Sequence, residues 1–136
     1  MNLKASFEKK VFDFKRPGGT SRGVMTQKKA WFISVWHSDS PELIGVGECS
    51  IIEGLSPDYE NDAQYEARLA QMVNNINSYA IDLSQLKEES SLLFGLEMAL
   101  VDLQNGGERL FFDTDFFHGN QAIPINGLIW MGEPEF

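Results

Sequence analysis

The sequence predicts an α+β fold, in which a three-stranded antiparallel meander is followed by a helical segment. Two observations lead to this prediction. Residues 1–56 contain segments of alternating apolar and polar side chains separated by turn-forming residues, which is typical of strands joined by hairpins. Residues 63–105 instead carry apolar side chains at spacings of three and four, the period of amphipathic helices.

The first strand is predicted over residues 4–15, where apolar positions alternate in the second half. Residues 16–23 contain a Pro-Gly-Gly turn signal and are expected to form the first loop. Residues 24–38, rich in aromatic and β-branched residues toward their end, supply the second strand, and residues 43–48 supply the third. The segment at 50–56 shows neither the alternation of a strand nor the three-to-four spacing of a helix, and it is predicted to be a second loop.

The helical segment begins after an acidic stretch at 58–62, where carboxylates suit the dipole of a helix N-terminus. One amphipathic helix is predicted over residues 63–79. After a short turn, Ser90 is expected to cap a second long helix that extends through Asn105. The Gly-Gly pair at 106–107 then ends it.

The last part of the chain is strongly apolar at 110–117, and residues 123–131 have the pattern of a strand buried on both faces. Such a strand belongs inside a parallel sheet, and no partner strand follows it in the sequence. We therefore expect residues 1–120 to form one domain and residues 121–136 to begin a second one that is truncated. An uncovered apolar surface at this end predicts self-association of the chain, disorder of its C-terminal segment, or both.

Composition excludes several classes of function. A net charge of −9 argues against nucleic acid as a partner. No run of 18 apolar residues is present, so no membrane span is expected, and the first residues lack the apolar core of a signal peptide. A single cysteine agrees with a reducing compartment, and the expected location is the cytoplasm.

Few residues suggest chemistry on their own. Glu48 and Glu53 are best interpreted as loop acids, and Asp113 and Asp115 as turn acids, because two carboxylates alone make a poor site for a hard cation. Cys49 is expected to be a small core residue rather than a nucleophile. No catalytic or metal-binding residue is predicted in this chain. The aromatic residues of the second strand, Trp31, Phe32 and Trp36, are expected in the core.

Three motifs, in this order, carry a resemblance to a known family. They are Gly45-Val-Gly-Glu48 at the end of the third strand, Leu96-Glu-Met-Ala-Leu-Val-Asp-Leu103 in the last helix, and Ile123-Pro-Ile-Asn-Gly-Leu-Ile129. The chain resembles the N-terminal capping domain of the enolase superfamily, muconate-lactonizing subgroup. The third motif resembles the first strand of the (β/α) barrel that follows this domain in the family.

Within that subgroup, the segments at 16–23, 47–56 and 124–132 together resemble the o-succinylbenzoate synthases of menaquinone biosynthesis. The resemblance implies a magnesium-dependent lyase, in which barrel carboxylates hold the metal and a Lys of a K-x-K motif moves the proton. This sequence contains no K-x-K. The expected cofactor of the whole enzyme is therefore Mg²⁺, with none bound by this chain, and the expected partners are the barrel domain and a small carboxylate substrate.

In the resembling family the two loops contact substrate at the barrel mouth. The residues that this implies as substrate-binding are Thr20, Ser21, Arg22 and Gly23 in the first loop and Ser50, Glu53, Gly54 and Leu55 in the second. Arg22 suits a substrate carboxylate because a guanidinium donates paired hydrogen bonds. Both loops should lie at the same end of an up-down-up meander. The alternatives are a sister activity (N-acylamino acid racemase, dipeptide epimerase or muconate cycloisomerase) and a non-catalytic interaction module.

Overall fold

The computed structural model describes residues 2–20 and 23–127. Three strands form one antiparallel sheet in the order β1-β2-β3: β1 (Leu3–Thr20), β2 (Gly23–His37) and β3 (Ser40–Ser50). Four helical elements follow: α1 (Asp62–Asn74), α2 (Ile76–Ile81), a 3₁₀ turn (Leu83–Leu86) and α3 (Ser90–Gln104). The predicted fold class, a meander followed by helices, is confirmed.

The core lies between one face of the sheet and the helices. Trp31, Ile33 and Val35 alternate along β2 and are fully buried on that face. They pack with buried residues of the helices, among them Tyr65, Leu69, Met72, Leu92, Leu96 and Ala99. Phe32 and Trp36 point to the opposite face and are only half-buried, so of the predicted core aromatics Trp31 alone is in the core.

Helix α3 lies directly against β3, and two glycines make this contact possible. A Cβ added to Gly47 would stand 1.8 Å from the carbonyl oxygen of Gly95, and one added to Gly45 would stand 2.1 Å from that of Ala99. Backbone therefore packs on backbone, which no larger residue allows. This contact gives a physical reason for the Gly-x-Gly spacing at the end of β3.

The predicted first loop is mostly strand, which corrects the sequence-based boundary. β1 continues to Thr20, which pairs with Gly23, and only two residues separate the strands. The pairing is irregular between Asp13 and Gly18. Pro17 falls in this interval, and since β1 is an edge strand it can hold a proline, which has no N–H to donate.

The helix boundaries also differ from the predictions. The predicted single helix at 63–79 is interrupted at Asn75, whose side-chain Nδ2 donates to the carbonyl of Gln71 at 2.9 Å and competes with regular helix bonding. Ser90 is the first residue of α3, not its cap, and Glu89 at the cap position makes no side-chain cap bond. The Gly106-Gly107 stop is confirmed, since both adopt positive φ.

Beyond α3, residues 110–127 form turns and coil, and most of them are exposed. Residues 123–127 of the predicted last strand are not a strand, because no neighbouring chain pairs with them among the described residues. Residues 128–131 of that prediction lie outside the described residues. Within the described ranges, no helix is long and apolar enough to cross a membrane.

Candidate functional site

A cleft of about 680 Å³ opens at one end of the sheet. One wall is the beginning of β2, residues 23–29, and the other is residues 51–55, which follow β3. Because β2 and β3 are antiparallel and Ala30 pairs with Ser50, the start of β2 and the end of β3 lie at the same end. The beginning of β2, which directly follows the first predicted segment, thus lies beside the second predicted segment.

Four of the predicted site residues line this cleft: Gly23, Glu53, Gly54 and Leu55. Leu55 presents an apolar side chain that is 49% exposed, and Gly54 adopts a φ of 76°, which favours glycine. Ser50 is exposed at the end of β3 but is not part of the lining.

Two predicted residues, Ser21 and Arg22, lie outside the described residues. Thr20 is described through its backbone, which pairs with Gly23. The cleft therefore begins one residue beyond Arg22 in the sequence.

The structure also adds residues that sequence reasoning missed. Met25, Gln27, Lys28 and Lys29 of β2 line the cleft, although they were treated only as part of a strand. Neighbouring strand residues point to opposite faces, so the two lysines diverge. Lys28 Nζ pairs with Glu48 Oε1 at 3.2 Å. Glu48 is accordingly a strand residue in an ion pair rather than a loop acid.

Lys29 is the centre of a charged network at the edge of the cleft. Its Nζ donates to Glu53 Oε1 at 2.5 Å, and it also reaches Asp62 Oδ1 at 3.3 Å and the Tyr59 hydroxyl at 3.4 Å. The Tyr59 hydroxyl donates to Asp62 Oδ1 at 2.6 Å. Lys9 of β1 holds the other oxygen of Asp62 at 2.6 Å. The network joins the sheet, the loop after β3 and the first residue of α1.

The pKa values of this network shift as its contacts require. The bond to Glu53 raises the pKa of Lys29, and the same bond lowers the pKa of Glu53. The Lys9 ammonium lowers the pKa of Asp62 to about 2. Burial raises the pKa of Tyr59 to about 12, so its hydroxyl remains a donor at neutral pH. Glu53 is an exposed loop acid, as predicted, and it is paired with Lys29.

The loop at residues 51–61 is fixed at a second point, through Asp58. Asp58 Oδ2 accepts from the backbone N and the hydroxyl of Ser91, at 2.8 and 2.5 Å. It therefore caps the N-terminus of α3, the role that the sequence had assigned to Ser90. Inside the loop, the Leu55 and Ser56 amides both donate to the carbonyl of Ile52.

Cys49 lies in the core, as predicted, with no exposed surface. Burial raises the pKa of its thiol to about 12. The thiol is therefore protonated at neutral pH, and a protonated buried thiol is a poor nucleophile. Its neighbour Tyr65 bonds to the Ser91 hydroxyl at 2.6 Å.

No group of three or more His, Cys, Asp or Glu side chains that could hold a metal ion occurs within residues 2–20 and 23–127. Asp113 is exposed and pairs with His118 at 2.6 Å. Asp115 is also exposed, in the same turn. The described residues therefore do not fit a magnesium site.

A second surface lies on the outer side of α3. Phe94, Met98 and Val101 form an apolar groove of about 540 Å³ with phenylalanines of the segment that follows the helix: Phe111, Phe112, Phe116 and Phe117. Phe94 and Phe112 are 58% and 78% exposed. We call this surface the α3 groove. Exposed apolar area of this kind marks an interface.

The sequence is similar to that of a curated protein, the o-succinylbenzoate synthase of Desulfotalea psychrophila. The two are 35% identical over 98% of this chain, and the match spans 44% of the relative. This chain thus spans less than half the length of the relative. No protein-family model matches the sequence.

Two solved structures share the fold at 19% identity. A mandelate racemase/muconate lactonizing protein from Herpetosiphon aurantiacus aligns with a TM-score of 0.56, over 76% of this chain and 30% of that protein. An enolase family member from Agrobacterium tumefaciens with homology to dipeptide epimerases aligns with a TM-score of 0.57, over 79% of this chain and 32% of that protein. The chain therefore shares the fold of these enolase-family structures, and over nearly its whole length its sequence is similar to that of an o-succinylbenzoate synthase.

Proposed function

We propose that this chain is the capping domain of an o-succinylbenzoate synthase, a lyase of menaquinone biosynthesis that dehydrates a cyclohexadiene carboxylate in the cytoplasm. The observation that carries the proposal is the cleft between residues 23–29 and 51–55, in which the start of β2, directly after the first resembling loop, lies beside the second resembling loop. The 35% identity to an o-succinylbenzoate synthase supports this reaction over the sister activities of the subgroup.

In this proposal the chain binds and encloses the substrate but does not perform the proton transfer. Arg22, which directly precedes the cleft residue Gly23, pairs with the substrate carboxylate. Leu55 and Met25 supply apolar contact to the ring. Excluding water from the cleft strengthens every charged contact within it.

Magnesium and the proton-transferring Lys belong, in this proposal, to the barrel domain of the whole enzyme. When bound there, the metal stabilises the charge that develops on the substrate carboxylate as its α-proton leaves. The residues described here do not fit a magnesium site. We therefore expect the chain alone to bind no magnesium at micromolar concentrations, as measured by calorimetry, and to show no turnover.

The α3 groove supports a barrel domain as the partner of this chain. Its exposed phenylalanines lie on the side of α3 that faces away from the sheet and in the segment that follows this helix. A barrel that follows in the sequence would cover this surface. A solvent-exposed apolar patch is otherwise unfavourable for a monomer.

The proposal is tested by kinetics of the full-length enzyme. Arg22→Ala should lower kcat/KM about ten- to a hundredfold, the effect of losing one charge-assisted hydrogen bond. Lys87→Ala, an exposed position after the 3₁₀ turn, serves as the control and should leave kcat/KM unchanged. Unchanged kinetics in Arg22→Ala would contradict the role given to Arg22.

A substrate panel tests the reaction itself. We expect the full-length enzyme to dehydrate the o-succinylbenzoate precursor and to turn over N-acylamino acids, dipeptides and cis,cis-muconate at lower efficiency. Higher kcat/KM for any of these three would assign the chain to that sister activity instead.

A further inference from the structure

We propose that Lys29 is a positioning residue, which clasps the β3–α1 loop (residues 51–61) against the sheet and so fixes one wall of the cleft. The inference deepens the proposed function and rests on it where it concerns catalysis. The sequence placed Lys29 in an ordinary strand, and nothing in its motif suggested a role. The role is inferred from its position beside the cleft and from its three partners in the loop and α1.

The geometry shows why one side chain can hold this loop. Lys29 is on β2, the central strand, and it is less exposed than the carboxylate it binds, at 27% against 60% for Glu53. A less exposed donor on the sheet thus holds a more exposed acceptor in the loop. The second contact, to Asp62, is itself fixed by Lys9 of β1, so Lys29 cannot turn away without breaking two ion pairs.

The clasp acts close to the part of the loop that lines the cleft. Glu53 is followed by Gly54 and Leu55, which also line it. Asp58, bound to Ser91, holds the far end of the same loop. Between these two anchors the loop is a wall that is already in place before substrate arrives. Preorganisation of this kind lowers the ordering cost of binding.

Backbone amides of the loop report on the clasp without any enzyme assay. The Leu55 and Ser56 amides donate to Ile52, and their hydrogen exchange follows the opening of the loop. In the 136-residue chain, Lys29→Met should speed the exchange of these two amides about fivefold, the upper effect of a solvent-exposed ion pair. Lys29→Arg should restore slow exchange.

A matched control is available in Lys10→Met, which removes an ion pair with Glu8 of 3.1 Å on the same sheet. This variant should leave the hydrogen-exchange rates of the Leu55 and Ser56 amides unchanged. Unchanged exchange of these amides in Lys29→Met would overturn the proposal. Equal acceleration of the core amides of α3 would also overturn it, since it would mean a general loss of stability.

In the full-length enzyme, Lys29→Met should raise KM about fivefold and leave kcat within twofold, because the loop wall is disordered before binding but re-forms around the substrate. Lys29→Arg should restore KM, which a purely steric role would not predict. Faster loop exchange together with unchanged kinetics would support the clasp and overturn the assignment of this loop to substrate binding. The exchange measurement therefore tests the role of Lys29, and the kinetics test the role of the loop in substrate binding.

Discussion

The carboxylate of Asp102 on α3 accepts, through Oδ2, a hydrogen bond of 2.8 Å from the backbone amide of Val46 on β3. β3 is an edge strand, so this amide has no partner strand on its open side. Asp102 is fully buried and also accepts from the backbone N of Arg109 at 2.7 Å and from its Nη1 at 2.6 Å. One carboxylate thus joins the sheet edge, the helix and the turn that follows.

Replacing this carboxylate should destabilise the fold. Asp102→Ala leaves the backbone amides of Val46 and Arg109 without this acceptor and removes one of the acceptors of the Arg109 guanidinium, so we expect a loss of about 2–4 kcal/mol in the free energy of unfolding. Urea unfolding followed by circular dichroism measures it. Glu42→Ala, at an exposed position, is the control and should change stability by less than about 0.5 kcal/mol. A similar small loss in both variants would contradict this account.

The contact between β3 and α3 predicts a larger effect at Gly47. A methyl group there would meet the Gly95 carbonyl at 1.8 Å, so the helix must move away from the sheet. Gly47→Ala should cost about 3 kcal/mol or more, visible as a lower urea midpoint or as insoluble protein. Gly127→Ala, where no atom lies within 4 Å, should unfold like the wild type. A stable Gly47→Ala protein would show that α3 does not pack so closely.

Asp62 predicts part of the acid sensitivity of the chain. Its folded pKa of about 2 lies below the ordinary value of 3.8, mainly because of Lys9. A depressed pKa contributes stability above the unfolded value, and this contribution is lost as the pH falls from about 4 to about 2. Since the side chain is 35% exposed, we expect at most about 1 kcal/mol.

The measurement compares wild type and Asp62→Asn by urea unfolding at pH 6 and at pH 2.5. The wild type should be more stable at pH 6, and the difference should be clearly smaller at pH 2.5, where part of the contribution has been lost. Asp39→Asn, in the exposed turn before β3, should follow the wild type at both values. A difference that is as large at pH 2.5 as at pH 6 would contradict the ion-pair explanation.

The α3 groove predicts association of the chain when no other domain covers it. Phe112 and Phe94 are among the most exposed phenylalanines of the described residues. We expect sedimentation velocity at about 100 μM to show dimers or larger species, since apolar burial favours association. Phe112→Asp with Phe94→Asp should shift the protein to monomer, whereas Ile81→Asp, 77% exposed outside the groove, should not. A clean wild-type monomer would contradict the prediction.

The sequence predicted the element order because alternation and helical period depend on local chemistry. Alternation along β2 is enough to place Trp31, Ile33 and Val35 on one face of the sheet, and they are buried there. Boundaries that depend on distant residues were not predictable. The cap of α3 comes from Asp58, 33 positions from Ser91, and no local motif shows such a partner. The site shows the same limit. The meander topology predicts that the two loops lie at one end of the sheet, but no local motif predicts the contacts of Lys29 with Glu53 and Asp62.

Asp58 has a consequence for protein engineering. The loop that lines the cleft also caps the N-terminus of α3, through Asp58. Replacing the whole loop with that of a relative therefore exchanges a helix cap together with one wall of the cleft. A graft at residues 51–56 leaves Asp58, Tyr59 and Asp62 in place and transfers only the cleft wall. A graft that extends through residue 59 also replaces Asp58 and so removes the cap from the first turn of α3. Such a variant would combine a changed substrate preference with a less stable helix.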